Sequence, residues 1–213
     1  MKLVKKALAV AAVALLVPTA SMATLVSSAV NDPLNFSWAY NTGTSELTGS
    51  GSMMISGFNT SQLTLAVTLS NTSSIGGIGG ERLTAFGFGI DPNATSVSFS
   101  DGGDGGIIDA KLNQNFPGYA TVEVCSFGGS TCAGGGNGGI FAGVSDTFTL
   151  LLNGTWGSSV NIDPLALKYQ TGYGSFEFSP TTGKLPEPSS LALAGLGFGL
   201  AGLAMRRRRQ NTA

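Results

Sequence analysis

The segment QLTLAVTL, residues 62–69, puts Leu63, Leu65, Val67 and Leu69 on one side of an extended chain and Thr64, Ala66 and Thr68 on the other. A helix repeats its apolar stripe about every 3.6 residues, so a strict two-residue period commits this segment to a strand with one buried and one wet face. The same period recurs at Phe36, Trp38 and Tyr40, at Thr84, Phe86, Phe88 and Ile90, at Val97 and Phe99, at Phe148, Leu150 and Leu152, and at Phe176 and Phe178. Turn formers separate these runs: NTGT, SNTSSIGGIGG, DPN and NGTWGSS. Nothing in the middle of the chain sustains a helical period. Short alternating strands at close spacing predict an all-β body, an antiparallel β-sandwich of jelly-roll-like form. The 32 glycines among 213 residues would suit a disordered chain, but the recurrent Phe, Leu and Val positions supply an apolar face that disordered chains lack.

Both ends stand apart from that body. Residues 1–23 read as a signal peptide: Lys2, Lys5 and Lys6 form a positive start, residues 7–17 an apolar run, and Pro18, Ser21 and Ala23 a cleavage region. The apolar run is shorter than the roughly 17–25 residues that a spanning helix needs. Cleavage is expected between Ala23 and Thr24, with signal peptidase and the Sec export machinery as partners. Residues 24–184 form the exported domain and residues 185–213 a tail. Within 24–184 four bases (Arg82, Lys111, Lys168, Lys184) face eleven acids, a net charge of −7, whereas the whole chain totals −1. Neutralising phosphates takes clustered Lys and Arg, so no nucleic-acid partner is expected.

The sequence contains no histidine, which removes the common serine triads, cysteine–histidine pairs and most zinc sites. The acids are scattered without a recognisable catalytic partner, and no enzymatic activity and no cofactor are expected. The acidic loop DGGDGGIID, with Asp101, Asp104 and Asp109, is a weak calcium candidate, since Ca²⁺ takes oxygens from flexible Gly-rich loops. It matches neither the EF-hand spacing nor the calcium-binding nonapeptide, so a solvated turn is the plainer reading. In CSFGGSTCAGGG, Cys125 and Cys132 enclose six residues that include Gly128 and Gly129, which lets the chain turn back and bring the sulfurs together. An exported chain favours pairing, and the chain-entropy model assigns a loop this short about 2.5 kcal/mol. The spacing is not that of a redox CxxC, and the glycines after Cys132 lack the Lys-Ser/Thr pair of a phosphate loop.

The tail reads KLPEPSSLALAGLGFGLAGLAMRRRRQNTA. Residues 189–205 are uncharged and apolar, at the short limit for a transmembrane helix, and Arg206, Arg207, Arg208 and Arg209 would hold the following end in the cytoplasm. Pro186, Glu187 and Pro188 precede the apolar run; two prolines keep the chain extended just outside the bilayer. This order of Pro-Glu-Pro, apolar helix and arginine cluster resembles the PEP-CTERM sorting signal of Gram-negative bacteria. The resemblance implies recognition by an exosortase, a membrane-embedded protease, after a transient stay in the inner membrane. It further implies a final place at the cell surface or in the extracellular matrix, in a biofilm setting linked to exopolysaccharide. CSFGGSTCAGGG is similar to the region that marks the cistern family of PEP-CTERM proteins. Nothing catalytic transfers, because the protease owns the chemistry and this chain is its substrate.

Two roles of different class follow. One is a structural or adhesive surface component without enzymatic function. The other is a carbohydrate-binding surface module, for which Trp38, Tyr40, Trp156, Tyr169 and Tyr173 could stack on sugar rings. Exposure of those aromatics separates the two.

Overall fold

The computed structural model describes residues 25–27, 31–74, 80–103, 106–119 and 122–182. The strands are β1 (Leu25–Ser27), β2 (Pro33–Asn41), β3 (Glu46–Phe58), β4 (Gln62–Asn71), β5 (Arg82–Asp91), β6 (Ala94–Asp101) and β7 (Asp109–Leu112). They continue with β8 (Val124–Phe127), β9 (Ile140–Phe141), β10 (Ser145–Gly154), β11 (Val160–Thr171), β12 (Gly174–Phe178) and β13 (Thr181–Thr182). All are in two antiparallel sheets. One runs β1-β11-β5-β8-β7, with β12 also on β11 and β9 also on β5; the other runs β13-β2-β3-β4-β10-β6.

The topology is that of one long hairpin folded back over itself. β1 pairs with β11, β4 with β10 and β5 with β8, while β6 lies against β7 across the two sheets. Successive partners fall in alternate sheets, so the roll is a jelly-roll sandwich, with the β2–β3 hairpin added beside β4.

Register explains why the alternating runs meet. Ile55, Leu65, Leu150 and Phe99 are consecutive cross-strand partners along β3, β4, β10 and β6, so one row of apolar side chains crosses four strands of the six-stranded sheet. Opposite it stand Phe86 and Phe88 of β5 with Leu167 and Tyr169 of β11, all fully buried. The Phe36 and Phe86 rings stack across the interior with centroids 5.6 Å apart, and Trp38 Nε1 donates to the Tyr169 hydroxyl at 3.0 Å. Each such large apolar side chain contributes about 1.5–3 kcal/mol through its removal from water.

Two long strands lack the alternating signature. In β3, Gly49 and Gly51 pair with Trp38 and Phe36 of β2, and a Cβ at either glycine would overlap the neighbouring aromatic ring. The strand therefore fits by having no side chain there. In β11 the pairing to β5 shifts register between Ile162 and Leu165, around Pro164, which can give no ladder hydrogen bond.

The outer faces of the sheets differ. Ser52, Ala66, Thr68 and Thr147 of the six-stranded sheet meet solvent in whole or part, whereas β5 is buried on both faces along Leu83–Ile90. Loops lie over the outer side of the seven-stranded sheet and bury a second, smaller cluster of Ala85, Phe116, Val122, Cys125, Phe127, Cys132 and Ala166.

Candidate functional site

The carboxyl end of the body is fastened to both sheets. β12 pairs with β11, and after Phe178 the chain crosses to the other sheet, where Thr181 faces Ser37 and Thr182 faces Phe36 of β2. The Tyr40 ring stacks on Phe178 with centroids 4.5 Å apart and 2° between planes. Tyr119 and Ser179 share a hydroxyl–hydroxyl bond of 2.9 Å, and Pro180 is buried. From Thr182, four peptide steps lead to Pro186, no more than about 14 Å of extended chain. The sorting residues Pro186, Glu187 and Pro188, the apolar run 189–205 and Arg206, Arg207, Arg208 and Arg209 lie outside the described residues, as do Ala23 and Thr24 at the expected signal cleavage.

Cys125 and Cys132 form a disulfide with Cα atoms 6.3 Å apart, and both are fully buried in the outer cluster. Around it the glycine-rich loop packs backbone on backbone. Gly128 N donates to Thr84 O at 2.9 Å, and a Cβ on Gly138 would overlap the Gly128 carbonyl, so neither the approach nor the turn admits a side chain. The loop covers Lys168, which is buried and ion-paired with Glu177 on β12.

The end of this loop hangs on Asn71, a residue that sequence reading takes only for part of a turn. Its Nδ2 donates to Ile140 O at 2.9 Å and to Glu81 O at 3.0 Å, and its backbone N–H donates to Val144 O at 3.0 Å. Its Oδ1 accepts from the Tyr169 hydroxyl at 3.1 Å, which completes a buried chain from Trp38 through Tyr169 to Asn71. Burial pushes the Tyr169 phenol up to about 12, although the Trp38 N–H pulls the other way.

The acidic loop is divided. Asp101 ends β6 and Asp109 opens β7, where its Oδ1 accepts from Ala110 N at 2.8 Å and its Oδ2 pairs with Lys111 at 3.3 Å. Asp104 lies outside the described residues. Among the described residues no group of three or more Cys, Asp or Glu converges on a point that could hold a metal ion. The acid that organises this loop is Asp146 of β10, buried, whose Oδ2 accepts from Gly106 N at 3.0 Å and Ile107 N at 2.7 Å.

The aromatic residues expected as a sugar platform do not form one. Trp38, Trp156 and Tyr169 are core residues, Tyr40 lies against Phe176 and Phe178, and only Tyr173, in the β11–β12 turn, stands well exposed. Alternation along β2 puts Trp38 inside, and a short turn folds Trp156 over Gly154, where a Cβ would strike its ring.

A different pocket opens in the β7–β8 loop. Asn113, Gln114, Asn115, Phe116, Tyr119 and Val122 line a cavity of about 390 Å³. Asn113 N donates to Glu123 O at 2.8 Å and closes the loop at its base. The Glu123 carboxylate in turn accepts from Ala94 N at 2.7 Å; burial raises its pKa, while that bond and one from the Ile90 backbone lower it. The signal in the sequence is NQNFPGY, three amides followed by a Pro-Gly turn and a tyrosine.

A jelly-roll body followed at once by Pro-Glu-Pro, an apolar run and four arginines defines a class: exported precursors tethered by the carboxyl end. Residues 185–209 match the family model for the PEP-CTERM protein-sorting motif, so the chain carries that motif in its tail. The motif marks an exported protein that is membrane-anchored before an exosortase processes it. The match covers the tail and does not extend to the Cys125–Cys132 region. No curated protein and no solved structure matches the chain.

Proposed function

We propose that the mature protein is a structural or adhesive component of the cell surface or extracellular matrix of a Gram-negative bacterium, without catalysis of its own and associated with exopolysaccharide in biofilm. The observation that carries this reading is the position of the sorting motif, beginning three residues after the last described strand of a body that the chain leaves already fastened. The lack of histidine supports a non-catalytic role, as does the separate engagement of Asp109, Asp146, Glu123 and Glu177 in local structural contacts.

Intact mass of protein recovered from outside the cells, compared with a Glu187→Ala variant, tests it. A mature species that starts at Thr24, ends near Pro186 and disappears in the variant is expected. A species that retains residues 189–213 in both would replace the matrix role with a permanent membrane anchor.

A further inference from the structure

We infer that the β7–β8 loop cavity is a binding site for a neutral saccharide, with Tyr119 as the stacking ring and Asn113, Gln114 and Asn115 as the hydroxyl-recognising groups. The inference deepens the matrix reading and rests on it only for where the sugar is met.

The chemistry of the lining selects the ligand. Three consecutive side-chain amides offer donors and acceptors together, the pairing that vicinal hydroxyls need, since each hydroxyl also donates and accepts. An aromatic ring beside them supplies an apolar face for the C–H side of a pyranose. Among the described residues no charged side chain lines the cavity, and the acidic body gives a polyanion no compensation. The volume of about 390 Å³ falls in the range of small-ligand sites.

The stacking ring is set in place before any ligand arrives. Phe116, Pro117, Gly118 and Tyr119 form a turn closed by Tyr119 N donating to Phe116 O at 3.1 Å, with Gly118 at a φ of 78°. Pro at the second position and a positive-φ glycine at the third are the requirements of a type II turn. The turn brings the Tyr119 ring edge-on to Phe116, at 90° with centroids 5.8 Å apart, and the hydroxyl is held by Ser179. Asn113 has a φ of 54°, a left-handed conformation that asparagine tolerates and most residues avoid. A ring fixed in this way loses little freedom on binding.

The test uses the mature protein recovered from outside the cells, titrated calorimetrically with cellohexaose, maltohexaose and mannohexaose, and with an alginate hexamer as the anionic probe. At least one neutral hexasaccharide is expected to bind. Tyr119→Ala and Asn115→Ala should each weaken that binding about tenfold, a loss of one stacking or one bidentate contact, while Tyr173→Ala leaves it unchanged. Asn115 is exposed, so its variant keeps the test valid if Tyr119→Ala fails to fold. Absence of binding by all three neutral probes at millimolar concentration, preference for alginate, or indifference to both substitutions would overturn the site. Intact mass of the same sample reads sorting separately, so a failed titration and a failed matrix role give different records.

Discussion

The six-stranded sheet is dry on one face, and the middle of the seven-stranded sheet, along β5 and β8, is dry on both. In β10 and β4 the buried and wet residues alternate without interruption, because one face meets the interior and the other meets water. In β5 the residues facing outward are as buried as those facing in, since the Cys125–Cys132 loop, Phe116 and Val122 lie over them. The difference shows where specialised features accumulate. A sheet with a wet face needs only its period, whereas a covered sheet needs loops of particular shape, and those loops carry the disulfide, the glycine packing and the amide-lined cavity.

The comparison breaks first at a residue that both sheets share. Phe86 lies in the interior, stacked on Phe36 and beside Phe88, so Phe86→Ala should lower stability by about 3–5 kcal/mol in urea unfolding. A much smaller loss would mean that the two sheets do not rely on one interior. The outer cluster is tested by replacing Cys125 and Cys132 together with alanine. Release of the short closed loop should cost about 2.5 kcal/mol by the chain-entropy model, and added reductant should then leave the variant unaffected. A loss near zero would show that the glycine packing holds the loop without the bond.

The smallest effect is the alkaline limb of stability. Tyr169 is buried with its phenol raised to about 12, whereas an unfolded tyrosine titrates near 10. Between those values the unfolded chain loses its proton first, so the stability that is fully present below about pH 10 falls as pH rises towards 12, by on the order of 2 kcal/mol. Tyr169→Phe should flatten that limb in urea titrations taken across pH 9 to 12. An unchanged slope would place the alkaline loss on other groups.

Sequence reading succeeded where one physical effect acts alone. QLTLAVTL and FTLLL carry their strands openly because each side chain answers only to inside or outside. The turn-back of CSFGGSTC is legible from loop length and glycine content, and the tail from its order of proline, apolar run and arginine. β3 is hidden because Gly49 and Gly51 leave room for rings that belong to β2, so its apolar period is stored on a neighbour. β11 is hidden by Pro164 and by burial of both faces, which erases alternation. Trp156 stands among turn formers and its exposure is not legible there; Gly154 opens space beneath it and the ring folds in. Asn71 looks like any turn asparagine; its side-chain bonds to Ile140 of β9 and Tyr169 of β11 depend on strands that are distant in sequence. Tyr119 is set beside the amides by a turn whose residues announce the turn and not its surroundings.

β13 contains two residues, against twelve in β11. When the tail is held in a membrane and the surroundings move, tension enters the body through that two-residue strand. Two residues of pairing to β2 hold less than the five residues by which β12 pairs with β11, so a pull on the tail is expected to part β13 first. Loss of that edge pairing alone would lengthen the connection to the tail and leave the longer strands paired.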